Sequence, residues 1–238
     1  MKTNRWNHNL HYHSLILAAA PGHCSRALDV GCGDGALTRE LRSVSERVVG
    51  IDLDPPSIES ARVQRGDGVE YVLGDFLEHP FEPASFDLVA SVAALHHVDA
   101  EAGLTRMADL VRPGGTLVVV GLAKSRQLRD FAFDIAGAVA TRVHEHILRK
   151  GYWEHSAPKV WPPPLTYDEL RADAARLLPG VRYRRHVLWR YSLVWTRPRS
   201  EQRLAPPVCP AHAAARVDVR AVDPGSPKRE LETKTEAL

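Results

Sequence analysis

The chain has 238 residues, 44% of them hydrophobic and 25% charged, which is ordinary for a globular protein with room for one α/β domain and a sizeable core. A formal net charge of +2 excludes the concentrated basic surface that phosphate backbones demand, so nucleic acid is not an expected partner. Three scattered cysteines (Cys24, Cys32 and Cys209) make no disulfide framework and point to a reducing cytoplasm.

The first 25 residues read as a short helical segment. Lys2 and Arg5 precede the apolar run "LILAAA" at 15–20, but six residues are short for a signal core, and His11 and His13 stand just before it, so secretion is not expected. No run approaches the ~20 apolar residues of a membrane span. From residue 26 strand-like and helix-like segments alternate, the mark of a parallel sheet covered on both faces. "RALDVG" (26–31) leads into the helical "GALTRELRSV", and "RVVGID" (47–52) into "PPSIESARVQ", whose prolines suit a first helical turn. "VEYVLGD" (69–75) and "SFDLVASV" (85–92) are the third and fourth strands. "AEAGLTRMADLV" is a helix, "RPGG" a turn by composition, and "TLVVVGL" (116–122) the fifth strand.

Beyond this the pattern changes. Leu128, Phe131, Ile135, Val139, Val143 and Ile147 recur at three- and four-residue steps, which predicts an amphipathic helix over 126–149. A Pro- and Trp-bearing connection (151–165) precedes a helix at 166–178. Two extended runs, 181–188 and 190–197, are so close that they must pair antiparallel or form one bent strand. The alternating arginines of "RYRRHVLWR" (182–190) read as edge-strand solubility devices. Residues 198–238 carry six prolines and no apolar period, and read as a disordered tail.

The glycines of "LDVGCGDGALTREL" (28–41) form a nucleotide-binding turn, because bare backbone lets a ligand approach the amide end of the following helix. Gly31-x-Gly33-x-x-Ala36 fits the relaxed dinucleotide fingerprint, and Asp52, closing strand two, can accept from both ribose hydroxyls of an adenosine. A nicotinamide-dependent reductase is therefore one reading. No lysine stands four residues after any of the six tyrosines, so the Tyr-x-x-x-Lys acid/base pair is missing.

The other reading rests on a resemblance. "LDVGCGDG", "VVGIDLD", "VLGDF", "FDLVASVAALHHV" and "LVRPGGTLVVV" stand in order over residues 26–122. Together they resemble the class I methyltransferases that use S-adenosylmethionine (SAM), in particular the small-molecule branch called methyltransferase type 11. The resemblance implies a doubly wound, Rossmann-like α/β fold with a seven-stranded sheet, mostly parallel with an antiparallel last strand. It implies a SAM-binding domain over 26–197, capped by an insertion at about 124–178 and by the N-terminal segment lying over the cofactor pocket.

By the same resemblance, Asp29 and the backbone of Gly31, Cys32, Gly33 and Gly35 surround the methionine part of SAM, with Cys32 as a small filler rather than a nucleophile. Asp52 holds the ribose with Leu53 against the adenine. Asp75 accepts from the adenine amino group and Phe76 covers the ring, although a helix cap and a core aromatic would explain that pair as well. Ser91 and Val92 lie under the sulfonium and the acceptor. His96 and His97, at the carboxyl end of the sheet, are candidate bases; hydrogen bonds that merely orient the loop are the competing explanation. Tyr12 and His13 are second candidates for contact with a small organic acceptor. "DPPS" at 54–57 looks like the target-nitrogen motif of DNA methyltransferases, but it follows strand two and ends in Ser57, so it reads as a helix start. His8, His11 and His13 lack accompanying cysteine or acidic ligands, and no metal is expected. A non-catalytic SAM-binding module remains compatible with the same fold, and the oligomeric state is open.

Overall fold

The computed structural model describes residues 5–143, 151–152 and 161–199, all within one unit that extends to Ser200. The tail from residue 200, the last six residues of the predicted 126–149 helix with His144 and His146, and most of the Pro- and Trp-bearing connection lie outside the described residues.

The sheet comprises β1 (Arg26–Val30), β2 (Arg47–Asp52), β3 (Val69–Leu73), β4 (Phe86–Val92), β5 (Val111–Gly121), β6 (Arg182–His186) and β7 (Arg190–Thr196). Its order is β3-β2-β1-β4-β5-β7-β6. The first five strands pair in parallel, and β7 runs antiparallel to both β5 and β6. The predicted mixed sheet is therefore correct, with β6 and β7 forming an antiparallel hairpin at one edge. "RPGG" is part of β5: Val111 pairs with Phe86, then the register slips before Leu88 meets Thr116. Gly114, at φ +83°, lets the chain turn there while its N–H donates to Arg197 O at 2.8 Å.

The period of two decides which helices cover which face. Leu28 and Val30 of β1, Val89 of β4, and Leu117 and Val119 of β5 enter one core with Leu104, Met107 and Leu110 of α4 (Ala100–Leu110) and Leu170 and Ala174 of α6 (Tyr167–Leu177). The alternate residues Ala27, Leu88, Ala90, Val118 and Val120 enter a second core. There they meet Ile16 of α1 (His13–Ala18) and Leu37 and Leu41 of α2 (Ala36–Leu41). Burial of each such aliphatic side chain stabilises the fold by roughly 1.5–3 kcal/mol. "DPPS" is a helix start: α3 spans Pro55–Val63, with Asp54 accepting from Ser57 N at 3.1 Å.

The helix expected at 126–149 is α5, assigned over Leu128–Arg142. Two residues of its apolar stripe do not face the core. Ile135 is 66% and Val139 55% exposed, whereas Gly137 is buried against the Trp189 ring and the Leu188 backbone. Of the edge-strand arginines, Arg182 and Arg184 are exposed as expected, whereas Arg185 departs from expectation. Arg185 is not a solubility device but a buried partner of Asp130, with Nη1 donating to Oδ1 at 2.8 Å and its guanidinium over the Tyr167 ring. Among the described residues no helix is long and apolar enough to cross a membrane.

Candidate active site

The carboxyl ends of β1 to β5 all open on one edge of the sheet, where ligands of open α/β folds bind. After Val30 the chain takes left-handed conformations at Gly31 (φ +72°), Gly33 (+54°) and Gly35 (+76°) before α2 begins. The glycines are needed by the protein's own packing as well as by any ligand. A Cβ on Gly31 would stand 2.3 Å from Ala94 Cβ, and one on Gly35 would stand 2.2 Å from the Tyr71 hydroxyl. The N–H groups of Gly31 and Cys32 both donate to Ile51 O, pinning the turn to β2.

Asp52 ends β2 and faces that turn. Its Oδ2 accepts from Gly33 N at 2.8 Å and its Oδ1 from Asp54 N at 2.9 Å, so both oxygens are oriented while each keeps lone-pair capacity. Leu53 beside it is 62% exposed and Leu73, closing β3, is 46% exposed. Two exposed leucines thus stand beside a fixed carboxylate, Leu53 next to it in sequence and Leu73 paired with it across β2 and β3.

Asp29 is wholly buried on β1. Thr38 of α2 donates to its Oδ2 at 2.7 Å, and burial pushes its carboxyl up to about 6, against the pull of Thr38 and His13. Gly50 makes this cluster fit, because a Cβ there would press on Thr38 Oγ1, Cys32 Sγ and Tyr71 Cδ1 at 2.9–3.0 Å. Burial, reinforced by Asp29 and Asp52, drives the Cys32 thiol far above its ordinary range, so it stays protonated and fills space. Gly50, Thr38 and Tyr71 carried no sequence signal: each matters through a partner on another element.

Asp75 spends Oδ1 on Leu77 N at 2.9 Å while its carbonyl caps Glu78 N and His79 N. Phe76 is 9% exposed and belongs to the core with Leu95 and Met107. The cap-and-core arrangement is thus present, with Phe76 beneath the edge rather than standing open over it. Ser91 is buried with its Oγ unpartnered, and Val92 is half-buried at the end of β4. Ala93 follows at φ +53°, a strained setting for a residue with a side chain, held by its N–H to Val120 O.

The short 3-10 turn Leu95–His97 presents the two histidines, ring centroids 4.1 Å apart, in different settings. His97 is exposed; partial burial lowers its pKa and the nearby Asp52 opposes that. His96 points inward with Nδ1 buried and unpartnered, and burial, His97 and Arg190 lower its pKa to about 4. Tyr12 and His13 are anchors. The Tyr12 hydroxyl donates to Val187 O, burial raising its pKa to about 12, and His13 Nδ1 donates to Glu40 at 3.2 Å. Arg190, 7% exposed, donates from Nη2 and Nε to Asn9 Oδ1 at 2.7 and 3.2 Å, fastening the N-terminal segment to β7. Neither Asn9 nor Arg190 was foreseen. Among the described residues no group of three or more His, Cys, Asp or Glu gathers as a metal site. A shallow depression at the opposite edge, bounded by His23, Cys24, Arg42 and Glu46, contains none of the expected residues.

An oriented acid at the end of the second strand, beside a glycine turn at the end of the first, is the arrangement of a nucleotide-binding α/β site, and solved structures share its fold. The N-methyltransferase NodS of Bradyrhizobium japonicum superposes with TM-score 0.53 at 18% identity, covering 79% of this chain and 96% of that one. A SAM-dependent methyltransferase of Mesorhizobium loti gives 0.52 at 19%, covering 77% and 96%. At such identities the likeness establishes the fold.

The sequence establishes more. Residues 28–119 match the family model described as "Methyltransferase domain". An uncharacterized methyltransferase of Mycobacterium tuberculosis is 38% identical over 195 residues, covering 81% of this chain and 98% of that protein. A ubiquinone biosynthesis O-methyltransferase of Methylocella silvestris is 39% identical over 117 residues, covering 48% and 45%. The chain belongs to the class I SAM-dependent methyltransferases and is an enzyme of that kind. The nicotinamide reading of the glycine turn is set aside by these relatives.

Proposed function

We propose that this methyltransferase acts on a small organic acceptor, at nitrogen, oxygen or carbon, in the cytoplasm. The observation that carries the reading is Asp52, its two oxygens steadied by Gly33 N and Asp54 N beside left-handed glycines and exposed leucines. In this reading Asp52 accepts from the ribose hydroxyls on its remaining lone pairs, and Leu53 and Leu73 line the adenine. Asp75 takes the adenine amino group on its other oxygen, with Phe76 as the back wall. Asp29, with Gly31, Cys32, Gly33 and Gly35, faces the methionine part, and Ser91 and Val92 lie below the sulfonium. The N-terminal segment and the 124–178 insertion close the site. SAM, when bound, supplies a methyl group on a positively charged sulfur.

What the chain must add is alignment and exclusion of water. The strained Ala93, with Ala94 against Gly31, fixes the floor of the site, and Tyr12 with Asn9 holds a wall over it. In this reading His97, which feels the charge of Asp52, faces the cofactor, and His96 faces the acceptor. A small acceptor is supported by the near-neutral charge and by the printed name of the Methylocella relative. Free, buried Cys24 and Cys32 agree with a reducing compartment.

Thermal unfolding with SAM, S-adenosylhomocysteine or NAD tests the reading. Both sulfur ligands at about a hundred times their Kd should stabilise the chain by roughly 2.7 kcal/mol, and Asp52→Ala should abolish that gain. Stabilisation by NAD alone, or an undiminished gain in Asp52→Ala, overturns it.

A further inference from the structure

Charge divides the carboxyl edge of the sheet. The half assigned to the cofactor carries Asp29, Asp34, Asp52 and Asp75. The other half is built from Ala93–His97, Gly121–Ala123, Asn7–His13 and His186–Tyr191, and among these described residues there is no aspartate or glutamate. Its basic character comes from Arg190, whose charge is felt at His96, Tyr12 and Tyr191. A hollow of about 10 Å³, room for one water or one acceptor oxygen, lies there against Leu95, His96, Leu122, Ala123, Leu165 and Tyr191. The unpartnered Nδ1 of His96 is a buried polar atom without a protein partner, and such an atom calls for a ligand group or a water.

We propose that the acceptor is an oxygen acid, a carboxylate or an acidic phenol, that reacts as its oxyanion beside His96 and needs no base from the protein. This rests on the methyltransferase reading above. A lone pair on the oxyanion forms the new O–CH3 bond as the S–CH3 bond breaks and its electron pair returns to sulfur. Anion and sulfonium become a neutral ester or ether and a neutral thioether, and no proton moves. His96, as the Nδ1–H tautomer, donates to the acceptor oxygen and holds it in line.

A protonated amine is unsuited twice over. The segments that build this half carry no carboxylate of their own, Glu40 being taken by His13 and Asp52 by Gly33 N and Asp54 N, and an imidazole that stays neutral down to about pH 4 is a poor acceptor of an ammonium proton. Removing charge suits a dry site, because the transition state is less charged than the reactants.

The test uses the full chain saturated with S-adenosylhomocysteine, titrated calorimetrically with benzoate, 4-nitrophenolate and benzylamine. The probes share a ring and differ in charge, and the first two separate carboxylate from phenolate. At least one anion should bind about tenfold or more tighter than benzylamine. His96→Phe should erase most of that preference while His96→Asn, which keeps a donor, retains it; both should bind S-adenosylhomocysteine as wild type does, which controls for folding. Benzylamine binding as well as the anions, no binding by either anion, or a preference that survives His96→Phe overturns the proposal. Failure of S-adenosylhomocysteine itself to bind would instead remove the cofactor reading on which it stands.

Discussion

At neutral pH the buried carboxyl of Asp29 is a burden on the fold. Burial raises its carboxyl to about 6, although Thr38 donates to it and His13 lies near. The folded chain therefore holds this proton more tightly than the unfolded chain, where the group titrates near ~4. Its contribution to stability is complete below that range, falls as pH climbs toward 6, and is gone at neutral pH, where the ionised form costs on the order of 3 kcal/mol. Asp29→Asn keeps an oxygen for the Thr38 hydroxyl and removes the charge. In the absence of cofactor it should unfold about 1–2 kcal/mol later than wild type at pH 7.5, the buried amide N–H2 consuming part of the gain. The difference should vanish near pH 4.5, and SAM affinity should fall. A variant less stable than wild type at pH 7.5 would show that the charge is not a burden.

At the scale of elements, the five parallel strands were legible because strands buried on both faces read as continuous apolar runs bounded by glycine, proline and charge. The covering of α5 was not. Four-residue apolar steps predict a helix, but they cannot say that the side holding Gly137, invisible to any hydrophobic pattern, is the one that meets Trp189. Nor could alternation along β6 reveal that Arg185 is buried, because its partner Asp130 stands 55 positions away. Asp130 binds Arg185 through Oδ1 and accepts from Arg126 N and Gln127 N through Oδ2, joining the first turn of α5 to the edge strand. Both side chains are 10% exposed. Asp130→Ala should cost about 3–5 kcal/mol in urea unfolding, since a buried charge loses a principal partner. Ile135→Ser, on the bare stripe of the same helix, should change stability by no more than about 0.5 kcal/mol. Equal effects would mean that the stripe, not the ion pair, holds the helix.

Across the whole molecule, the strand order brings the two ends of the domain to one place. The glycine turn of Gly31 to Gly35 and Asp52 were readable because they lie in short runs at strand ends. The contacts that fasten the N-terminal segment were not, because they join segments far apart in sequence: Asn9 meets Arg190 across 181 positions and Tyr12 meets Val187 across 175. The hairpin turn that receives them holds Leu188 and Trp189 at φ +60° and +55°, conformations that a side chain tolerates only when its surroundings hold it there. Arg190 Nη1 donates to both of their carbonyls, so the guanidinium that binds Asn9 also fixes the turn. Asn9→Ala deprives a buried cation of an acceptor and should cost about 2–3 kcal/mol. The loss should be accompanied by faster proteolysis within the first dozen residues and weaker SAM binding, because the wall over the site loosens with the turn beneath it. Asn9→Asp, which restores an oxygen and adds the complementary charge, should recover both. If Asn9→Ala unfolds at the wild-type midpoint and binds SAM unchanged, the N-terminal segment is an ornament on the fold and takes no part in closing the site.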